Sequence, residues 1–172
     1  MYLQGVGEMN SIKRENGFTL IEIMVVIIII GILATIIIPK LTTSTINARR
    51  KADIATAHEV KAALDRYQIE NGLYPKIAEL TVNAGTVTCS ILIPKYIVKL
   101  DKLTTQQLVP EGNKGFGVAA LSANVADPTQ FSIPNTSPVA NLIMIYLTVD
   151  GLAAEVRAYD EGLDDVLWTS AN

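Results

Sequence analysis

The sequence predicts an α+β chain: a long N-terminal helix, half membrane-spanning and half amphipathic, packed on a small antiparallel sheet of about four strands. Three observations predict it. Between Phe18 and Ile38 the only ionisable residue is Glu22. From Ala57 onward apolar residues recur at helical spacing up to a stop at Asn71-Gly72. In the C-terminal part short apolar runs alternate with Gly, Pro and Asp turn signals. The segments that follow are 1–17 as a leader, 18–39 as a bilayer-length helix, 40–72 as its amphipathic continuation and 73–172 as a globular head.

The chain has 172 residues, 49% apolar and 18% charged, with a formal net charge of −3. That suits one domain plus an appendage. One Cys and one His exclude an intrachain disulfide and a Cys₄ or Cys₂His₂ zinc site. A nucleophile–base pair has His58 alone to draw on, so an enzyme is not expected. The net charge gives no reason to expect nucleic acid.

As a helix, the apolar run from Phe18 to Ile38 is about 30 Å long, the thickness of a bilayer's hydrocarbon core. Its many Ile and Val also suit a strand, but a lone strand in lipid leaves its backbone unpaired. Met1–Gly17 is polar and carries Lys13 and Arg14 just before the run, while Pro39-Lys40 after it offers no small-residue cleavage site. The apolar helix is therefore expected to be retained. Lys13 and Arg14 on one side oppose Lys40 and Arg49-Arg50-Lys51 on the other, so charge leaves the orientation open.

Glu22 is the anomaly, because a carboxylate in a membrane helix costs on the order of 3 kcal/mol and commonly marks function. The plainer account is that it lies near the helix start, where the dipole favours an anion. Gly17-Phe18-Thr19-Leu20-Ile21-Glu22, the apolar helix and Pro39 together resemble the N-terminus of type IV pilins and type II secretion pseudopilins. The likeness is tight over residues 13–40 and looser to Pro75. It implies the pilin fold, cleavage by a prepilin peptidase on the cytoplasmic side after Gly17, and N-methylation of the new terminus at Phe18. It also implies a cytoplasmic leader, a single pass through the inner membrane, delivery to an assembly platform, and a final place in a surface filament. Cleavage puts a cationic amine four residues ahead of Glu22, in the same chain or a neighbour. Opposite charges in a low dielectric attract strongly, while each alone is costly.

Past the membrane, Ala57, Val60, Leu64 and Tyr67 form an apolar stripe, with Glu59, Lys61, Asp65 and Arg66 on other faces. Pro39 removes an N–H and crowds the carbonyl of Thr35, so a bend is expected there. Gly31 weakens the same stretch, making Gly31–Pro39 a soft segment for subunit packing. Arg49-Arg50-Lys51 reads as a solvated face paired with Asp53 or Glu59, against an anionic-lipid patch or an inter-subunit contact. Residues 40–102 hold ten Lys/Arg against six Asp/Glu, and 127–172 hold Arg157 against seven acids. Opposite-sign faces of this kind steer stacking, and they also serve solubility.

In the head, Ile77–Ala84 is expected as a short helix or loop, and Ser90–Leu100 as a packed connector. Strands are expected at Gly115–Ser122, Phe131–Ile133, Leu142–Val149, Leu152–Tyr159 and Val166–Thr169, with a hairpin at Asp150-Gly151. Glu111–Gly117 is glycine-rich but lacks a nucleotide-loop pattern, so a turn is expected. His58 and Cys89 are expected as packing residues. Asp160, Asp164 and Asp165, with Glu161, form an acidic loop. Major pseudopilins hold calcium in that part of the head, and calcium is the only cofactor the resemblance suggests, against a plain solvated loop.

The function expected first is a prepilin, processed after Gly17 and polymerised with copies of itself into a type IV pilus, with Glu22, Gly31 and Pro39 as assembly residues. The alternatives are a type II secretion major pseudopilin, which Arg66–Pro75 favours but the lack of a Pro-Trp-Gly segment does not, and a membrane-anchored binding protein that never polymerises.

Overall fold

The computed structural model describes residues 17–123, 131–133, 138 and 140–171. The leader up to residue 16, and Pro128 and Pro134 that bound one expected strand, lie outside the described residues. The chain forms two compact units, residues 1–42 and 43–172, and helix α1 (Leu20–Asn71) contributes to both.

In the first unit α1 is continuous and largely apolar. Residues 31–39 are helical throughout, with Pro39 inside the helix, so the softness expected of Gly31–Pro39 leaves no break here. Two threonines flank the proline and fold their hydroxyls back on the chain. Thr35 donates to Ile32 O at 2.7 Å and Thr42 to Ile38 O at 3.2 Å. Each hydroxyl thereby meets its hydrogen-bonding need without leaving the helix surface.

In the second unit α1 buries Asp53, Ala57, Val60, Ala63 and Leu64, a stripe at three- and four-residue spacing. The predicted stripe is borne out, with Tyr67 packed at its margin. The helix ends where Gly72 turns left-handed (φ 85°) and its N–H reaches Gln68 O at 2.7 Å, a conformation glycine adopts without a Cβ penalty.

The main sheet runs β3 (Phe116–Ala120), β6 (Ile143–Leu147), β7 (Ala154–Tyr159), β8 (Val166–Thr169). Two hairpins accompany it: β1 (Thr81–Asn83) with β2 (Thr86–Thr88), and β4 (Ser122–Ala123) with β5 (Phe131–Ser132). The four-strand core sheet is as expected, with one correction. It is mixed, because β3 pairs parallel to β6, Phe116 opposite Ile143. The connection across residues 121–142 is long enough to return the chain to the same end of the sheet, as a parallel pair requires. The β6–β7 hairpin is antiparallel, but Leu147 opposes Ala154, so Asp150-Gly151 sits within a wider loop than the two-residue turn it suggested.

A second correction concerns Ile77–Ala84. It holds a 3₁₀ turn (Ile77–Glu79) and then β1, whose partner β2 follows a two-residue turn with Ala84 and Gly85 both at positive φ. Primed turns of this type match the strand twist, yet Ala in place of Asn or Asp hides the signal. The connector at 90–100 is packed as expected, with Leu92, Tyr96 and Leu100 buried. Phe116, Leu142, Ile143, Ile145, Leu147, Val156 and Ala158 join Leu64 and Val60 in one core.

Candidate functional site

Local physics at the start of α1 assembles the first site. Gly17, Phe18 and Thr19 are non-helical and the helix begins at Leu20. Thr19 is the N-cap and Glu22 stands three residues on, the spacing of a capping box. Both halves of the box are present. Glu22 Oε2 accepts from the Thr19 backbone N–H at 2.8 Å and from its hydroxyl at 2.9 Å, and the Glu22 N–H reaches Thr19 Oγ1 at 3.4 Å. The carboxylate that the apolar run makes anomalous is thus held at the helix mouth, on the positive end of the dipole.

The bond between Gly17 and Phe18 lies in non-helical chain two residues ahead of the helix. Phe18 is 82% exposed, and nothing stands within 4 Å of the position a Cβ would take on Gly17. A protease needs a segment it can draw into its cleft, and this one is not committed to helix. Thr19 is the residue that sequence reading passed over, although Thr-x-x-Glu before an apolar run is a recognisable signal. Gly31 and Pro39 lie further along α1, and a Cβ on Gly31 would also meet nothing, which leaves that face open.

In the head, the expected pairing of Arg49–Lys51 with Asp53 or Glu59 is not what forms. Asp53 is fully buried and accepts from the backbone N–H groups of Gln106 (2.6 Å) and Gln107 (3.1 Å), anchoring that loop to α1. Arg50 instead reaches across 111 residues of sequence to Glu161. Its Nε lies 2.9 and 3.2 Å from the two carboxylate oxygens and its Nη2 2.5 Å from Oε2. The guanidinium holds the Glu161 carboxyl below its ordinary range.

The acidic loop was the calcium candidate. Asp160 Oδ1 accepts from the N–H groups of Asp164 (3.1 Å) and Asp165 (3.2 Å), and Asp160 N donates to Asp165 O at 3.0 Å. Among the described residues no three His, Cys, Asp or Glu side chains gather as a metal-binding group. Asp164 Oδ2 and Asp160 Oδ2 lie 3.2 and 3.6 Å from the position a Cβ would take on Gly162. With Asp160 Oδ1 taken by the loop's own N–H groups and Glu161 held by Arg50, the carboxylates do not converge as a calcium cage, so this donor set does not fit the ion.

The other singled-out residues are structural. His58 stacks on Trp168, ring centroids 4.1 Å apart. Cys89 is buried, which pushes its thiol pKa up and away from reactivity. Glu111–Gly117 holds a 3₁₀ turn at Glu111–Asn113 and then enters β3 at Phe116, so the expected turn covers only its first half; between them Gly115 (φ 92°) passes so close to Gly85 that a Cβ on it would lie 2.1 Å from Gly85 O. Ionic and phenolic contacts line the C-terminal end of α1: Glu70 Oε2 takes Lys95 Nζ at 2.7 Å and Tyr96 Oη at 2.6 Å, and Lys61 pairs with Asp65.

Residues 12–38 match the family model described as the prokaryotic N-terminal methylation motif. The chain is 42% identical over 62 residues to the type II secretion system core protein G of Pectobacterium carotovorum subsp. carotovorum, covering 36% of this chain and 40% of the relative. It is 43% identical over 63 residues to the core protein G of Klebsiella michiganensis, covering 37% and 44%. To that of Escherichia coli strain K12 it is 39% identical over 77 residues, covering 45% and 50%. The chain thus spans about two-fifths to half the length of the curated relatives it matches. No solved structure matches. α1 is the one helix among the described residues long and apolar enough to cross a membrane. In its N-terminal segment the chain carries the prepilin-type methylation motif of the type IV pilin and type II secretion pseudopilin family.

Proposed function

We propose that the chain is the precursor of a type II secretion pseudopilin: a structural subunit cut after Gly17, N-methylated at Phe18, and polymerised with further copies through the apolar half of α1. One observation carries the choice over a type IV pilus subunit, the reading the sequence placed first. The likeness to proteins named core protein G extends over 62 to 77 residues, more than twice the length of the methylation motif. A shared processing signal alone does not account for it. Prepilin peptidase, an assembly platform and membrane lipid are the partners this role requires.

Leaving lipid for a filament core keeps the apolar helix in apolar surroundings, so the transfer itself supplies little drive or selectivity. Selectivity then falls to packing and to Glu22. In the precursor Glu22 closes the capping box on Thr19. After cleavage the Phe18 amine becomes a cation beside that box, in the same chain or an incoming one. A buried carboxylate lacking a partner is costly and a paired one is not, which makes the pair a register mark. Gly31 and Pro39 lie on the open helix face where neighbours pack.

The test is to express the full chain with prepilin peptidase and an assembly platform, shear off filaments and measure the intact mass and N-terminus of the subunit. N-methylphenylalanine at residue 18 is expected. Membrane material that keeps Met1 and yields no filament supports the non-polymerising anchor instead. Glu22→Ala is expected to be cleaved and membrane-inserted while filament yield falls at least tenfold; normal yield removes the charge pair from the account. Retractable surface fibres made without secretion components return the pilus reading to first place.

A further inference from the structure

We propose that Arg50 is the built-in counter-cation of the loop between β7 and β8, so that this loop folds without a bound divalent cation. Four carboxylates fall within six residues there, Asp160, Glu161, Asp164 and Asp165. Like charges so close repel, and a loop of this composition folds tightly only if a cation offsets them or if backbone donors take up the oxygens. Both devices are present, and neither needs a metal. Asp160 Oδ1 takes two N–H groups of its own loop. The planar guanidinium of Arg50 grips both oxygens of Glu161 at 2.5–3.2 Å, the two-pronged geometry that an ammonium does not reproduce.

Arg50 is the one cation in direct contact with the loop among the described residues, through Glu161. The clamp lies entirely within the head unit and joins the loop to α1. Eight residues along α1, His58 stacks on Trp168 of β8, giving the segment 160–169 a second attachment to the same helix. Arginine keeps its charge at every physiological pH, unlike a dissociable ion. The loop's geometry is therefore written into the chain and does not vary with the cation content of the compartment. The proposal stands apart from the filament reading, because it concerns the folding of the head alone.

The test uses the full chain in detergent micelles, with thermal unfolding followed by emission of Trp168, the chain's single tryptophan. The wild type is expected to unfold at the same temperature in excess EDTA and in millimolar CaCl₂. Arg50→Gln is expected to lower the midpoint by about 2–4 °C in EDTA. Arg50→Glu is expected to lower it further, and combining it with Glu161→Arg is expected to recover at least half of that loss. A calcium-dependent rise of several degrees in the wild type overturns the proposal. So does an Arg50→Gln chain as stable as the wild type in EDTA, or a charge swap that recovers nothing.

Discussion

Residues 17–42 and 43–171 use apolar side chains in opposite ways. From Leu20 to Leu41 every large apolar residue is exposed, whereas Leu64, Phe116, Leu142, Ile143, Ile145 and Leu147 are completely buried. Water tolerates the second arrangement and not the first, because exposed apolar patches of that size mark a binding surface. The first region's apolar surface is uncovered among the described residues, and on the proposed function lipid or further copies cover it, whereas the second region covers its own. This difference explains why one region declares a role and the other declares only a fold. On the proposed function, a surface that meets a bilayer, a peptidase and its own kind is constrained residue by residue along the sequence. A core is constrained only in volume and pattern.

The sharpest way to break the comparison is a pair of truncations. Leu64→Ala is expected to destabilise the head by about 2–5 kcal/mol, since it opens a cavity at a fully buried site. Ile28→Ala, on the exposed run, is expected to leave head unfolding unchanged while lowering filament yield. Denaturant unfolding of the full chain in micelles, with sheared-filament yield measured beside it, reads both. A head that weakens in Ile28→Ala means the two regions are not energetically separate.

Backbone crowding supplies the next largest effect. Gly85 has φ 80°, and a Cβ there would lie 2.1 Å from Lys114 O, a contact that neither backbone can relieve by rotating a side chain. Gly85→Ala is expected to cost roughly 1–3 kcal/mol from the left-handed backbone, with the clash adding to it. The same denaturant midpoints measure it, and Gly112→Ala serves as the control because a Cβ there meets nothing.

How much of the molecule was legible beforehand follows the same division. The methylation motif at residues 12–38 and the apolar helix behind it were identifiable because both are local, one-dimensional patterns. The stripe at Ala57, Val60 and Leu64 and the run from Leu142 to Val149 were legible because periodicity reveals a buried face. What was hidden required distance. Arg50 meets Glu161 and Asp53 meets Gln106 only after the chain closes, so local spacing paired Arg50 with its neighbours Asp53 and Glu59 instead. The parallel pairing of β3 with β6 depends on the path of a long connection. The hairpin of β1 and β2 has strands of three residues, too short for alternation to register.

A smaller effect comes from acid. The Arg50 guanidinium lowers the Glu161 carboxyl below its ordinary value of 4.5. A depressed carboxyl stabilises the folded state above its unfolded value, and that contribution disappears as pH falls through the depressed folded value. Head stability in the wild type is therefore expected to decline below about pH 4.5, and Glu161→Gln is expected to show a shallower decline over that range. Glu70 and Glu111 are lowered as well, by Lys95 and Lys102, so one variant removes part of the slope. Identical slopes in both chains would mean that the pair contributes nothing to head stability.

The smallest expected effect belongs to Thr19, and it distinguishes a structural cap from a requirement of assembly. Thr19→Val removes the hydroxyl that meets Glu22 Oε2 at 2.9 Å but keeps the backbone N–H that meets it at 2.8 Å. N-cap losses are typically about 1 kcal/mol, and half of this box survives, so the expected cost is below that. Amide exchange of residues 20–23 in micelles is expected to quicken by less than tenfold, with head exchange unaffected. Because the carboxylate itself remains, filament yield is expected to stay within twofold of the wild type, in contrast to Glu22→Ala. Equal losses from the two variants would place the cap, and not the charge, at the centre of assembly.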